Sequence, residues 1–290
     1  MSAPSLEGSS TLALWERAGV RAAAGGAYIH VTLDSPTTRN ALTDEMVNGI
    51  VDAITHTESL HHTRALVIRG AAHTFCAGGD FSNFRALMAA PAPADTPDTP
   101  DPIATFNRSF GAMLERLQAC AVPAIAVVEG AAMGGGCGLA AVCDFVLAAS
   151  TAQFGMPEVT LGLPPAQIAP FIAARLGNGA ALRLMLTGRR IAAAQALACG
   201  LADEVAEPDA LDARLHALLI DLGRAEPAAL RATKAIVRRR QHSTLGDTLD
   251  FASLAFAASL RSGSAAEGIA AMTAKRPAAW VVKPVEEAKP

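Results

Sequence analysis

Apolar runs alternate along the chain with short polar or glycine-rich breaks, and the period of the alternation changes from segment to segment. Tyr28-Ile-His-Val-Thr-Leu33 alternates with period two and predicts a strand, which Asp34-Ser35-Pro36 ends. Thr43-Asp-Glu45 then opens a helix. Thr43 takes the N-cap position, and Met46, Val47, Ile50 and Ile54 fall on one face. Arg64–Ile68 predicts a second strand ending at Gly70, and Pro123–Val128 and Asp144–Ala148 predict further buried strands. Gly134-Gly-Gly136 leads into a short helix of small residues, Cys137–Val142. Strands separated by helices pair in parallel through crossovers, so the expected fold class is α/β.

Ala86–Arg116 reads as helical on either side of a break. That break, Pro91–Pro102, holds five prolines and three aspartates, supports neither helix nor packed strand, and is expected to form a mobile loop. From Pro165 onward helical periodicity dominates, over Ile168–Leu176, Ala180–Leu186, Ala192–Cys199, Leu211–Leu222, Pro227–Arg240 and one long segment, Leu245–Ala274. Residues 1–25 are rich in Ala, Gly and Ser and are expected as a loose arm, followed by a core over 26–205 and a helical region over 206–290.

Composition narrows the functional classes. With 290 residues, 51% hydrophobic and 18% charged, the chain can bury a large core and is not a disordered polymer. A net charge of −3 lacks the basic excess of a dedicated nucleic-acid binder. Arg238-Arg-Arg240 suits a helix C-terminus, where cations are favoured. No apolar stretch is long enough to span a membrane, and Met1–Leu14 carries no basic residue of a leader, so a cytoplasmic protein is expected. The five cysteines form no CxxC pair and the seven histidines no HxxxH pattern, so neither a metal nor another cofactor is expected.

Three segments carry candidate chemistry. Phe75-Cys-Ala-Gly-Gly-Asp80 and Glu129-Gly-Ala-Ala-Met-Gly-Gly-Gly-Cys-Gly-Leu139 each follow a strand and fit neither a Walker nor a dinucleotide fingerprint. Such turns can present backbone N–H groups, and two converging N–H groups form an oxyanion hole. The same glycines also suit two tight, closely packed turns. Asp80 and Glu129 flank them, where helix capping or loop fixing is the commoner use. Glu158 is the only charged residue between Asp144 and Arg175. A carboxyl in so apolar a stretch is expected to have a raised pKa, which suits proton transfer at carbon.

Asn40-Ala-Leu, Phe75–Asp80, Gly134-Gly-Gly-Cys and Phe154-Gly-x-Pro-Glu158 occur in this order over a chain that resembles the crotonase superfamily, the enoyl-CoA hydratase/isomerase family, through roughly residues 27–280. The resemblance implies a spiral of ββα turns with a C-terminal helical part that makes a homotrimer or dimer of trimers. It implies an acyl-CoA thioester ligand, with CoA as part of the substrate. It places the oxyanion hole on the N–H groups of Gly79 and Gly135, beside Ala77 and Gly134, and the acid/base on Glu158. Arg39 would lie near the CoA nucleotide, and Phe256 and Lys275 match positions that reach a neighbouring subunit's CoA.

The departure is Gly138, where typical enoyl-CoA hydratases carry a second glutamate. A glutamate restored there is expected to strengthen hydration of crotonyl-CoA. Together with Gly162-Leu-Pro-Pro-Ala-Gln-Ile-Ala-Pro-Phe171, Gly138 resembles a subgroup acting on methylglutaconyl- and isohexenylglutaconyl-CoA. A second carboxylate on such a substrate needs a cation or several donors; Gln167 could contribute, although helix capping or a surface position is its commoner use. Hydration of a branched or glutaconyl 2-enoyl-CoA is the favoured reading. A 3-enoyl/2-enoyl isomerase using Glu158 alone, and a non-catalytic acyl-CoA or RNA binder, are the alternatives.

Overall fold

The computed structural model describes residues 12–17, 19–89 and 101–284. Ten strands are present among them: β1 (Leu12–Arg17), β2 (Val20–Gly25), β3 (Tyr28–Leu33), β4 (Ala65–Gly70), β5 (Ala124–Val128), β6 (Ala131–Met133), β7 (Phe145–Ala149), β8 (Gln153–Gly155), β9 (Arg190–Ala192) and β10 (Glu204–Ala206). The helices are α1 (Asp44–Ser59), α2 (Phe81–Ala89), α3 (Pro102–Gln118), α4 (Gly135–Val142), α5 (Ala169–Leu176), α6 (Asn178–Thr187), α7 (Ala193–Cys199), α8 (Leu211–Arg224), α9 (Pro227–Arg239), α10 (Leu245–Arg261) and α11 (Ser264–Thr273).

The main sheet has the order β1-β2-β3-β4-β5-β7-β10, with its first three strands antiparallel and the rest parallel. Its central strands are apolar at nearly every position because both faces are covered. Leu66, Ile68, Ala124, Ala126 and Val128 pack on the side of α1, α3 and α4, while Ala65, Val67, Ile125 and Val127 pack with Leu211, Leu215, Leu219 and Leu222 of α8. Thr43 caps α1 as expected, its hydroxyl accepting from the Met46 N–H at 3.2 Å. No helix among the described residues is long and apolar enough to cross a membrane.

Two sequence expectations need correction, and one element was not anticipated. Residues 12–17 and 20–25 do not belong to a loose arm: β2 pairs with β3 from Val20↔Leu33 to Gly25↔Tyr28, and β1 extends the sheet. The alanines that read as flexible spacers are small strand residues, with Ala22 buried and Gly26 turning the hairpin at φ +64°. The long segment Leu245–Ala274 is two helices, because Gly263 adopts φ +84° between them. A second sheet, β6-β8-β9, escaped the hydrophobic pattern since each strand is only three residues long. The expected mobile loop falls almost wholly on residues 90–100, outside the described residues.

Candidate active site

Both glycine turns are set by the strands before them. After β4 the chain doubles back and lies against the start of β6. Phe75 donates to the Glu129 carbonyl at 2.8 Å, Cys76 to Ala131 at 2.9 Å, and Met133 back to Cys76 at 2.9 Å. This zipper brings Gly78-Gly79 beside Gly134-Gly135. Gly78 and Gly134 take φ +102° and +51°, and a methyl on Gly78 would lie 2.9 Å from the Met133 carbonyl and 3.7 Å from the Gly135 nitrogen. Gly135 is the first residue of α4, where a backbone N–H has no intrahelical acceptor and the helix dipole favours negative charge. On the other side, Leu42 donates to the Gly78 carbonyl at 2.8 Å and bridges in parallel to Gly79.

The small sheet delivers Glu158 to the same place. Met133 pairs with Gly155, Gly134 donates to the Gly155 carbonyl at 2.8 Å, and a 3₁₀ turn over Pro157–Leu161 follows at once. Glu158 Oε1 lies 2.9 Å from where a Gly134 side chain would begin, and Gly78 Cα lies 3.9 Å from that point. Its Oε2 is buried without a hydrogen-bond partner among the described residues. Burial pushes the carboxyl above the usual carboxylate range, opposed weakly by a backbone hydrogen bond. An orphaned carboxyl of raised pKa beside the first N–H of α4 can accept and return a proton while charge develops on a nearby carbonyl oxygen.

The walls are apolar. Phe84 lies over Gly79, Leu42 and Phe110 lie over Gly135, and Phe84 meets Phe106 edge-to-face with ring centroids 6.5 Å apart. At Gly138 a Cβ would fall 2.2 Å from Ile168 Cγ2 and 2.9 Å from Ile168 Cβ. The space a second carboxylate would need is therefore filled by Ile168. Gln167 caps no helix. It is half-buried, donates to Asn107 Oδ1 at 2.8 Å, and packs its amide over the backbone of Gly111.

The structure gathers Gly79, Gly134, Gly135, Ala77 and Glu158 in one place, and Ala77 is tied to Arg39 by its N–H donating to the Arg39 carbonyl at 3.0 Å. Arg39 is exposed beside this turn, with φ +55°. Phe256 and Lys275 are not brought to it. Phe256 is exposed on α10, and Lys275 lies exposed just beyond α11. Glu129 contacts His73 at 3.2 Å at the rim. Sequence reasoning missed Asn107, Phe110 and Ile168. Asn107, Phe110 and Leu114 follow an i, i+3, i+7 stripe on α3, a legible signal, whereas the reach of Ile168 to Gly138 spans thirty residues and has no local signature.

Comparison with known proteins agrees with this architecture. The chain matches the family described as enoyl-CoA hydratase/isomerase over residues 24–283 and belongs to that family. A solved enoyl-CoA hydratase/isomerase from Marinobacter aquaeolei is 38% identical and superposes with a TM-score of 0.87, covering 92% of this chain and all of the other. The fold is thus the mixed α/β crotonase fold. Among curated relatives, the probable enoyl-CoA hydratase echA8 of Mycobacterium tuberculosis is 33% identical over 247 residues, covering 85% of this chain and 91% of the relative. The 2,3-dehydroadipyl-CoA hydratase of Escherichia coli K12 is 32% identical over 247 residues, with 85% and 92% covered.

Proposed function

We propose that the protein adds water across the 2,3 double bond of an enoyl-CoA thioester whose acyl group is branched or of glutaconyl type. The observation that carries the reading is the meeting of the Gly79 and Gly135 turns with the orphaned, buried carboxyl of Glu158. In this reading the thioester oxygen accepts from both N–H groups. Glu158 takes a proton as water oxygen bonds to C3, the electron pair of the double bond passes into the thioester enolate, and Glu158 returns that proton to C2. One carboxyl suffices because both transfers occur on one face of the acyl group, and Ile168 leaves no room at Gly138 for another. Hydratase names among the curated relatives support water addition, and the dehydroadipyl-CoA relative supports a substrate with a second carboxylate.

Arg39 would meet the CoA nucleotide, and Phe256 and Lys275 a neighbouring subunit's CoA in a homotrimer or dimer of trimers. Exposed apolar residues on α6, α10 and α11, such as Leu186, Leu254 and Met272, support burial against further copies. The protein is incubated with 2-enoyl-, 3-enoyl- and 3-methylglutaconyl-CoA in ¹⁸O-labelled heavy water, and products are weighed. Labelled oxygen in the product is expected. Deuterium at carbon without oxygen overturns hydration in favour of the isomerase that a single carboxyl also permits. Thioester binding without either label means a binding protein.

A further inference from the structure

We infer that the Asn107–Gln167 amide pair and the Arg108 guanidinium form a receptor for a carboxylate at the far end of the acyl chain. The inference deepens the thioester reading and rests on it for the position of the chain. Asn107, Phe110 and Leu114 share one face of α3. Phe110 lies against Gly135 and Leu114 near Gly138, so Asn107 is the next group along that face, one turn beyond the glycine turns. Phe84 and Phe110 lie over the glycine turns and Phe106 meets Phe84 edge-to-face, so Asn107 places an amide on a helix that otherwise presents Phe106, Phe110 and Leu114 near the turns. Gln167 comes from the opposite wall, directly before Ile168, and donates to Asn107 Oδ1 at 2.8 Å. That bond engages the oxygen of Asn107 and leaves its two amide hydrogens outside it, as donors an anion could use.

The backbone is shaped to seat the pair. Gly111 sits in the interior of α3, where glycine is less favourable than alanine. A Cβ there would lie 1.9 Å from Gln167 Oε1 and 3.2 Å from Arg108 Nη1, so the missing side chain is the space both groups use. Behind them opens a groove of about 740 Å³ between α3, the approach to α5 and the end of α9. Its lining brings Arg108, Arg238 and Arg239 together with a single carboxylate, Glu115. Among the described residues Arg108 pairs with Glu115 at 2.7 Å, Arg238 with Asp144 at 2.9 Å, and Arg239 lies over the Phe251 ring at 5.0 Å. A guanidinium has five N–H donors, so these engagements leave donors and a positive field for an anion.

The test compares binding of adipyl-CoA with hexanoyl-CoA, equal in chain length and differing in the terminal carboxylate, by calorimetry on wild type, Arg108→Gln and Gln167→Leu. Wild type is expected to prefer adipyl-CoA by at least about tenfold, the scale of one charge-assisted hydrogen bond. Each variant is expected to lose most of that preference while its hexanoyl-CoA affinity stays within about twofold. Equal wild-type affinities, or a preference that both variants keep, overturns the receptor. Because binding is read without turnover, the outcomes separate. A preference lost in the variants, without ¹⁸O incorporation from any enoyl thioester, keeps the receptor and removes the hydratase. ¹⁸O incorporation without the preference does the reverse.

Discussion

Restoring a carboxylate at position 138 is expected to damage the protein rather than improve it, and the contact with Ile168 sets the scale. Any Cβ at 138 meets Ile168 Cγ2 at 2.2 Å, about 1.3 Å inside an ordinary carbon–carbon contact of ~3.5 Å. Ile168 is 2% exposed and so has nowhere to retreat. Overpacking of this kind costs ~1–3 kcal/mol, against a gain of about 1 kcal/mol for replacing a helical glycine by alanine. Gly138→Ala alone therefore lands near neutral or up to about 2 kcal/mol less stable. Ile168→Ala alone loses ~2–5 kcal/mol. In the double variant the 2.2 Å contact with Cγ2 is gone, the 2.9 Å approach to the retained Cβ at 168 is left for a small shift to relieve, and the new methyl partly fills the cavity, so the cycle should show ~1–3 kcal/mol of favourable coupling. Urea unfolding of the four proteins measures it. Additivity within about 0.5 kcal/mol would show that Ile168 does not wall off the position. In Gly138→Glu, lower melting temperature and slower crotonyl-CoA hydration are expected together, and faster hydration at unchanged stability refutes the packing argument.

Other expectations concern titratable groups. Glu158→Gln should lower turnover by ~10²–10⁴-fold, the usual scale for a general acid–base, with CoA-thioester affinity retained; wild-type turnover in the variant removes the assignment. Burial raises the Glu158 pKa, so the folded chain holds that proton more tightly than the unfolded one. The stability this confers is complete below the unfolded pKa and is lost as pH rises through the folded value. Glu158→Gln should accordingly gain more in melting temperature over wild type at pH 8 than at pH 4, and an equal difference at both would contradict the burial. Cys76, Cys137 and Cys143 are buried thiols pushed up to about 12, whereas Cys199 is half-buried. Iodoacetamide on the native protein should mark Cys199 first, read by peptide mass spectrometry, and equal labelling of Cys76 would show that the core opens.

Much of the fold was legible because its signals are local. The period-two run at residues 28–33, the Thr43 cap and the apolar runs before each glycine turn all answer to neighbours in sequence. The hairpin at residues 12–25 was hidden by alanine, which carries no strand signal of its own and gains its place through pairing with β3. At the site, the glycine turns and Glu158 were readable from composition alone, since a lone carboxyl in an apolar stretch is conspicuous. The groups packed around the glycine turns were not. Ile168 acts on Gly138 and Gln167 on Asn107 across the fold, and only packing shows what each touches.

Asn40 shows how one residue known at first only as part of a motif acquires a physical task. Its side chain is fully buried and engages backbone alone: Oδ1 accepts from Ser35 at 2.8 Å, and Nδ2 donates to the Thr74 and Ala71 carbonyls at 2.6 and 3.1 Å. These bonds pin the loop before α1 to the loop after β4. From that pinned loop the Arg39 carbonyl accepts from Ala77, and Leu42 donates to Gly78. Asn40 thereby fixes the turn that carries Gly78 and Gly79. Its φ of +57° adds a left-handed backbone that asparagine tolerates better than most residues. Asn40→Asp keeps the shape but sets a carboxylate oxygen against two carbonyl oxygens, and Asn40→Ala takes the side-chain partner from the Ser35 N–H and the Thr74 carbonyl, at ~1–3 kcal/mol for each that stays dry, while the Ala71 carbonyl keeps the Thr74 N–H at 3.3 Å. Both variants should lose stability. If the turn positions the oxyanion donor, the folded fraction at low temperature should also show a lower kcat with little change in KM. A folded Asn40→Ala protein with unaltered kcat would make the bonds structural only and leave the aim of Gly79 to the parallel bridge with Leu42.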